Sequence, residues 1–165
     1  MNPMVRMKVK VVGLDQNSMV PVVIITDRDE KGFIPIVIGP AEAGAISEGL
    51  EGKSRPRPMT HDLIKNLIDT LNAKVERIVI HDLREETYYA RICLKTADSE
   101  VDVDARPSDA IALALRTDAP IYVSEEVAAR ALQVNQPQQD DDMEEFRKFL
   151  ETVTPEDFHR NFKRE

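Results

Sequence analysis

Two stretches of this sequence repeat one succession of patterns, in which three strands are followed by a helix that opens with proline. In the first stretch the strand patterns cover residues 5–14, 19–26 and 33–38, and the helix runs from Pro40 to about Glu51. In the second they cover residues 75–83, 88–96 and 100–105, and the helix begins at Pro107. The two prolines lie 67 positions apart, and repetition at a fixed offset is typical of a duplicated unit. The sequence therefore predicts an α+β fold, a mixed β-sheet with helices, built by internal duplication of a βββα unit.

Details within the first unit predict how its strands lie in the sheet. Alternation of apolar and polar residues puts Val5, Met7, Val9 and Val11 on one face of the first strand. Pro35 lies inside the third strand, and a residue without a backbone N–H is tolerated at a sheet edge or a bulge. The third strand is therefore expected at the edge.

The remaining segments connect the two units and extend beyond them. A proline-rich basic loop ends near Met59, and Thr60 is expected to cap a helix that runs to about Ala73. The apolar residues of that helix share one face and are Leu63, Ile64, Leu67, Ile68 and Leu71. A strand over 120–123 and a helix capped by Ser124 complete a predicted domain of residues 1–132. An acidic linker over 133–142 and a helical tail over 143–165 follow, with short helices at 144–153 and 155–163.

Composition limits the functions that the chain can have. The formal net charge is −8, and phosphate attraction needs a positive field, so nucleic acid would have to be bound by a local patch. A single cysteine, Cys93, excludes an intrachain disulfide and fits a reducing compartment. No stretch is long and apolar enough to span a membrane. We expect a cytoplasmic protein that does not insert into membranes.

The loop before the second helix is a candidate anion site. Arg55 and Arg57 are each followed by proline, and His61 and Asp62 lie at the start of the helix, where free N–H groups favour an anion. The alternative is a solvated linker in which Asp62 stabilises the first helical turn. The spacing alone leaves both interpretations open.

A second candidate site follows the sixth strand. Asp102 and Asp104 share one face of that strand, and Arg106 and Asp109 come directly after it. Clustered carboxylates suit a hard divalent cation, which can activate water or stabilise a phosphoryl transition state. The alternative is a polar outer face with Arg106 paired to Asp104 or Asp109. A third pair, His81 and Asp82 at a strand end, can be either a general base or part of a solvent-facing ion pair.

Taken together, several motifs resemble the bifunctional nuclease domain family of bacteria, archaea and plants. The matching runs are IPIVIG over 34–39 with Glu42 and Ala43, PRPMTHD over 56–62, TYYA over 87–90 and DARPSDAIALALR over 104–116. The resemblance covers about residues 5–132. It implies cleavage of phosphodiester bonds in both RNA and DNA, and plant members of the family are linked to stress responses.

The resemblance turns the two candidate sites into one proposed set of functional residues. The positions expected to be catalytic are Glu42, His61, Asp62, Asp104 and Asp109. From their chemistry, Arg55, Arg57 and Arg106 are expected to bind nucleic-acid phosphate, Asp104 and Asp109 to hold Mg²⁺ or Mn²⁺, and His61 to transfer protons.

Two classes of function remain open from the sequence. One is a nuclease of RNA or DNA assisted by a divalent metal. The other is a non-enzymatic, oligomeric regulator or ligand-binding module whose motif residues brace the fold. If the motif residues converge on an open cleft, the enzyme is favoured, whereas buried mutual pairing favours the brace. In both cases we expect a homo-oligomer, most simply a dimer, because a small domain must cover its strand edges.

Overall fold

The computed structural model describes residues 3–135, and it describes side-chain packing up to residue 131. The strands are β1 (Met4–Leu14), β2 (Pro21–Asp27), β3 (Phe33–Val37), β4 (Lys74–Arg84), β5 (Thr87–Lys95), β6 (Glu100–Ala105) and β7 (Ile121–Ser124). The helices are α1 (Pro40–Glu51), α2 (Thr60–Thr70), α3 (Pro107–Thr117) and α4 (Glu125–Asn135). The α+β prediction is therefore confirmed. The predicted linker and tail lie beyond the described residues.

All seven strands form one sheet in the order β3-β2-β1-β7-β4-β5-β6. The pairs β1–β2, β2–β3, β4–β5 and β5–β6 are antiparallel, as in two three-stranded meanders. The last strand, β7, lies between the meanders, antiparallel to β1 and parallel to β4. This mirrored order is compatible with the predicted duplication, which stays a prediction.

A β-bulge corrects the predicted face of β1. The register with β2 shifts between Val9 and Val11, so the alternation of side chains changes sides there. Met7 before the bulge and Val12 after it both lie in the core, whereas Val11 is outside it. The extra residue of a bulge is not visible in the apolar pattern, and the prediction that Val11 shares a face with Met7 is wrong.

The helix α3 lies at the centre of the core. All five residues from Ala110 to Ala114 are buried, and α3 contacts α1, α2, β4 and β5. The predicted edge position of β3 is confirmed, since Pro35 lies in the strand that ends the sheet. The small residues of α3 allow neighbouring elements to approach it closely, and this brings the N-terminal ends of α1 and α3 together.

The helix α2 differs from its prediction in two respects. Met59 is the N-cap, and Thr60 is already helical; the Asp62 side chain accepts a hydrogen bond from the Met59 N–H, at 3.0 Å. Only Ile64 and Ile68 of the predicted apolar face pack against the core. Leu63, Leu67 and Leu71 are exposed, although they belong to the same helical stripe.

Candidate active site

A cleft of about 850 Å³ opens between α1, the start of α2, the end of β6 and the start of α3. Its polar lining residues are Glu42, Glu48, Arg55, Thr60, His61, Asp104, Arg106, Asp109 and Arg116. The two candidate sites that the sequence indicated separately therefore contribute to one surface. Formal charges in the lining nearly balance, with four carboxylates and three guanidinium groups.

The residue sizes in α1 create room for the cleft. Ala41, Gly44 and Ala45 lie along the helix face that lines it, and a Cβ added at Gly44 would meet no atom within 4 Å. Glu42, in the first turn, folds back towards the N-cap Gly39, where a Cβ would collide with its carboxylate. The absence of a side chain at Gly39 therefore fixes where the Glu42 carboxylate can lie.

A continuous chain of polar contacts crosses the cleft. His61 Nε2 lies 2.9 Å from Asp109 Oδ1, and Arg106 Nε donates to Asp109 Oδ2 at 2.9 Å. The Nη2 of Arg106 also donates to Glu42 Oε1 at 2.6 Å. His61 is buried, whereas the Arg106 side chain is 64% exposed. The chain thus joins the first turns of α1, α2 and α3 and reaches solvent through Arg106.

Two further ion pairs flank this chain, and each includes a residue that the sequence did not single out. Arg116 Nε donates to Asp62 Oδ1 at 2.8 Å, and Arg116 Nη1 donates to the Ala112 carbonyl. Arg55 pairs with Glu48, which is almost completely buried in α1. Arg116 lies seven positions after Asp109, two turns along one helix face, and this spacing could have identified it. We find no comparable signal in the sequence for Glu48.

The remaining predicted residues lie at or outside the cleft. Asp104 is exposed at its wall, and its side chain forms no hydrogen bond or ion pair with another described residue. In the sheet Asp104 is opposite Arg91 of β5, while Val103 belongs to the other face. Arg57 is exposed in the loop that leads to α2 and is not part of the cleft wall. The structure therefore unites His61, Asp109, Arg106 and Glu42, and leaves Arg57 outside.

Comparison with known proteins identifies the family. The family model described as the bifunctional nuclease domain matches residues 23–136. The chain belongs to the bifunctional nuclease domain family. An uncharacterized protein of Mycobacterium tuberculosis is 39% identical over 162 residues, which cover 92% of this chain and 97% of that protein.

Plant members of the bifunctional nuclease domain family are more distant relatives. Bifunctional nuclease 1 of Oryza sativa subsp. indica is 28% identical over 109 residues, 64% of this chain and 33% of that protein. Bifunctional nuclease 1 of Arabidopsis thaliana is 26% identical over 112 residues, 66% of this chain and 34% of that protein. This chain thus matches about a third of the length of each plant relative. None of the described helices is long and apolar enough to cross a membrane.

Two acidic residues of this bifunctional nuclease domain, Glu42 and Asp62, are held in their charged forms. The pKa of Glu42 is lowered by a hydrogen bond from its own backbone N–H and by Arg106. Burial would raise the pKa of Asp62, but the Met59 N–H and Arg116 together lower it. Glu42 and then Asp109 raise the pKa of Arg106. At neutral pH the Glu42 and Asp62 carboxylates and the Arg106 guanidinium are all ionised.

The cleft does not form a ready-made metal site. Both oxygens of Asp109 are engaged, by His61 and by Arg106, and one oxygen of Glu42 is bound to Arg106. Among the described residues no three His, Cys, Asp or Glu side chains are grouped so that they could hold an ion. Mg²⁺ often uses only one or two carboxylates together with substrate phosphate. Binding of Mg²⁺ or Mn²⁺ by Asp104 and Asp109 therefore stays a prediction, and no chemical step is assigned to it.

Proposed function

We propose that this chain is a nuclease that hydrolyses phosphodiester bonds in RNA, DNA or both. The observation that carries the proposal is the hydrogen-bonded His61–Asp109 pair beside Arg106 in an open cleft. The names of the plant relatives support the same reaction class. Nucleic acid is accordingly the proposed partner, and the cytoplasm the proposed location.

The geometry supports a specific division of roles among the cleft residues. In the tautomer in which His61 Nε2–H donates to the Asp109 carboxylate, the Nδ1 lone pair is the group that we propose accepts a proton from water. Arg106 Nη1 forms no hydrogen bond with a described residue and can donate to a phosphate oxygen. Glu42 and Asp109 orient the Arg106 guanidinium through its other two nitrogens. The proposed reaction is therefore general-base hydrolysis at a phosphate held by Arg106.

A cleavage assay on single-stranded RNA and DNA, with and without EDTA, tests this proposal. His61→Ala should lower the cleavage rate by about 100-fold or more, because general-base catalysis contributes roughly 10²–10⁴-fold. Asn66→Ala, an exposed change on the same helix, is the matched control and should leave the rate unchanged. Loss of activity in EDTA would support the metal prediction. Full activity of the His61→Ala protein would exclude the proposed role of His61.

Asp104→Asn separates the metal prediction from the rest of the site. The Asp104 side chain forms no pair with a described residue, so this substitution should not change the melting temperature. If Asp104 holds a catalytic metal, the stable variant should lose cleavage. Full cleavage by that variant would remove Asp104 from the mechanism, while the His61–Asp109 proposal would still stand.

One observation favours the non-enzymatic alternative. Three polar contacts of the site cross between helices, as they would in a structural brace: His61 with Asp109, Arg106 with Glu42, and Arg116 with Asp62. If bracing is their only role, His61→Ala should lower the melting temperature, and any activity should fall only with the folded fraction. Purified wild-type protein would then cut neither RNA nor DNA with Mg²⁺ or Mn²⁺ present.

A further inference from the structure

The face of the sheet that points away from the core carries a cluster of cationic side chains on its central strands. Ile78, Ile80 and Ile92 point into the core, so alternation directs Arg77 of β4 and Arg91 of β5 to the opposite face. The candidate active site is built on the side of the sheet that is covered by α1, α2 and α3. The arginine cluster and that cleft therefore lie on opposite sides of the sheet, and Asp104 of the edge strand β6 borders both.

On the face that points away from the core, side chains form a row in register across five strands. Arg6 of β1 is opposite Tyr122 of β7, and Tyr122 is opposite Val79 of β4. Val79 is in turn opposite Arg91 of β5, which is opposite Asp104 of β6. Tyr122 is half-buried and Arg6 is exposed. Val79, at the centre of the row, is 1% exposed, so the row places an aromatic ring and two guanidinium groups around a buried valine.

Two N–H groups in this cluster have no hydrogen-bond acceptor among residues 3–135. The Nε atoms of Arg77 and Arg91 are buried, and neither forms a hydrogen bond with a described residue. Asp102 Oδ2 lies 4.0 Å from Arg91 Nε, which is too far for a hydrogen bond. A buried donor without an acceptor destabilises a protein, and natural structures contain few of them. Two such donors on adjacent strands therefore lack an acceptor among residues 3–135, and a bound ligand can supply one.

Two cavities meet at Arg77. The larger, about 540 Å³, is lined by Arg77, Arg91, His81 and Ser124, with Glu125 and Glu126. The smaller, about 410 Å³, is lined by Arg77, Lys74, Lys95, Glu76 and Tyr122, with Pro120. Because Arg77 lines both, the two cavities adjoin at this side chain, and together they are termed here the sheet groove.

We propose that the sheet groove binds a phosphate group of single-stranded nucleic acid or of a nucleotide, with Arg77 and Arg91 as the phosphate donors and Tyr122 as a surface for a base. The choice of nucleic acid rests on the proposed nuclease function. Planar guanidinium groups match phosphate oxygens, and aromatic side chains stack on bases irrespective of sequence.

The charges of the cleft and of the sheet groove support a role for the groove in binding and for the cleft in cleavage. In the cleft, Arg55 and Arg106 are already paired with carboxylates, so little positive charge is left to attract a polyanion. In the sheet groove, Arg77 forms no ion pair with a described residue, and Arg91 forms one loose ion pair, with Asp102 at an N–O distance of 4.0 Å. Glu125 and Glu126 are exposed at the groove rim and oppose binding, so their removal should strengthen it.

The test measures binding separately from cleavage. Full-length protein carrying His61→Ala is titrated into a 5′-labelled single-stranded oligonucleotide of about 12 nucleotides, within the range that a nucleic-acid-binding groove spans, and fluorescence anisotropy is recorded. Adding Arg77→Met with Arg91→Met should weaken binding by about 10-fold or more. The slope of log affinity against log salt should also fall by about 1.4, which corresponds to two lost phosphate contacts on a single strand.

A charge-matched control removes two exposed cations elsewhere. Arg28→Ala with Lys31→Ala, in the turn after β2, changes the net charge equally and should alter the affinity by less than about two-fold, because surface charges beyond about 8 Å are screened. Glu126→Gln should strengthen binding. Equal loss of affinity in the control and the arginine variants would overturn the proposal.

Stability provides a second readout that does not depend on the oligonucleotide. If the arginine N–H groups serve to bind a ligand, Arg77→Met should keep or raise the melting temperature, since it removes an unpaired buried donor. A large drop in melting temperature would assign Arg77 to the fold and overturn the proposal.

Competition with inorganic phosphate and with a mononucleotide identifies which kind of molecule supplies the bound phosphate group. Displacement of the labelled oligonucleotide by the mononucleotide supports a nucleotide site. Displacement only by unlabelled oligonucleotide supports a groove for a single strand. If neither the mononucleotide nor the oligonucleotide binds, both forms of the proposal are overturned.

The two proposals fail in different ways. If the nuclease proposal is wrong, wild-type protein does not cut but the sheet groove still binds in an arginine-dependent manner. If the groove proposal is wrong, the arginine variants cut and bind like wild type. A dinucleotide substrate sharpens the distinction, since it is too short to span both faces and its cleavage should not depend on Arg77 or Arg91.

Discussion

Arg116 carries one of the most buried charges in the described part of the chain. Its side chain is 9% exposed and links α3 to Asp62 in the first turn of α2, while the Asp62 side chain is 34% exposed. The pKa of Asp62 is lowered in the folded state by the Met59 N–H and by Arg116. A carboxyl group with a lowered folded-state pKa stabilises the fold above its unfolded-state pKa, and that contribution is lost as the pH falls through the folded-state value.

Arg116→Leu should therefore destabilise the protein in a pH-dependent way. At pH 7 we expect a loss of about 1–2 kcal/mol in the free energy of unfolding, less than for a fully buried pair because Asp62 is partly solvated. The difference from wild type should shrink below pH 3.8, the ordinary pKa of Asp62, because protonated Asp62 no longer needs the partner. Urea unfolding at pH 7 and at pH 3 measures both values.

Lys65→Ala is the control for that experiment. Lys65 and Asp69 form an exposed i,i+4 pair on α2 with an N–O distance of 3.7 Å, and such pairs contribute about 0.3–0.5 kcal/mol. A pH-independent effect of Arg116→Leu would mean that its packing, and not its charge, stabilises the fold.

Individual site residues were partly predictable from the sequence. His61, Asp62 and Asp109 were expected in first helical turns, because carboxylates and polar groups there satisfy free N–H groups. The contact between His61 and Asp109 joins residues 48 positions apart, and no local spacing encodes such a contact. The pairing of Arg106 with Asp109 was one of the alternatives considered from the sequence, but its second partner, Glu42, could be found only from the packing of α1 against α3.

At the scale of elements, two glycines within α1 have opposite environments. Gly44 faces the open cleft, and a Cβ at this position would have no atom within 4 Å. A Cβ at Gly49 would lie 3.0 Å from Leu115 Cβ and 3.2 Å from Arg116 Nη1, where α1 meets α3. The first glycine only weakens the helix, whereas the second permits close approach of the two helices.

Alanine substitutions at these positions should therefore have opposite effects on stability. Gly44→Ala should raise the free energy of unfolding by up to about 1 kcal/mol through helix propensity. Gly49→Ala should lower it by about 1–3 kcal/mol through overpacking. Thermal unfolding of the two variants, each serving as the control for the other, measures the difference. A rise in the free energy of unfolding for both would show that helix propensity, and not contact with α3, dominates at Gly49.

The elements themselves were largely predictable, and their arrangement was not. Every predicted strand and helix within residues 3–135 is present, because alternation and 3.6-residue periodicity reflect which side is buried. The exposure of Leu63, Leu67 and Leu71 was missed because periodicity reports an apolar stripe, not the surface that covers it. The position of β7 between the two meanders depends on pairing partners far away in sequence, which a local pattern does not contain.

At the scale of the whole molecule, apolar side chains remain uncovered at one end of the sheet. Leu63, Leu67 and Leu71 of α2 are at least half exposed, and Val101 and Val103 of the edge strand β6 are more than 40% exposed. Contiguous exposed apolar patches of several hundred Å² are rare in monomers and are typical of interaction sites. The acidic side chains of β6 disfavour edge-to-edge pairing of two such strands, so the leucines of α2 are the stronger candidate for self-association.

We expect the wild-type protein to be a closed homodimer through α2. Sedimentation at micromolar concentration should give twice the mass of 18.7 kDa. Leu67→Lys should give a monomer, because it introduces a charge into the centre of the patch. Leu50→Lys, at a separate exposed position near the end of α1, should remain dimeric. A monomeric wild type would contradict the prediction.

The central position of β7 has a consequence for synthesis of the chain. Residues 121–124 pair with both β1 and β4, so the two meanders cannot form one sheet until almost the whole domain has left the ribosome. Until then each half exposes an unpaired strand edge, at a synthesis rate of about 5–20 residues per second. The nascent protein thus spends seconds as two incomplete sheets, until the short strand β7 is available to complete the sheet.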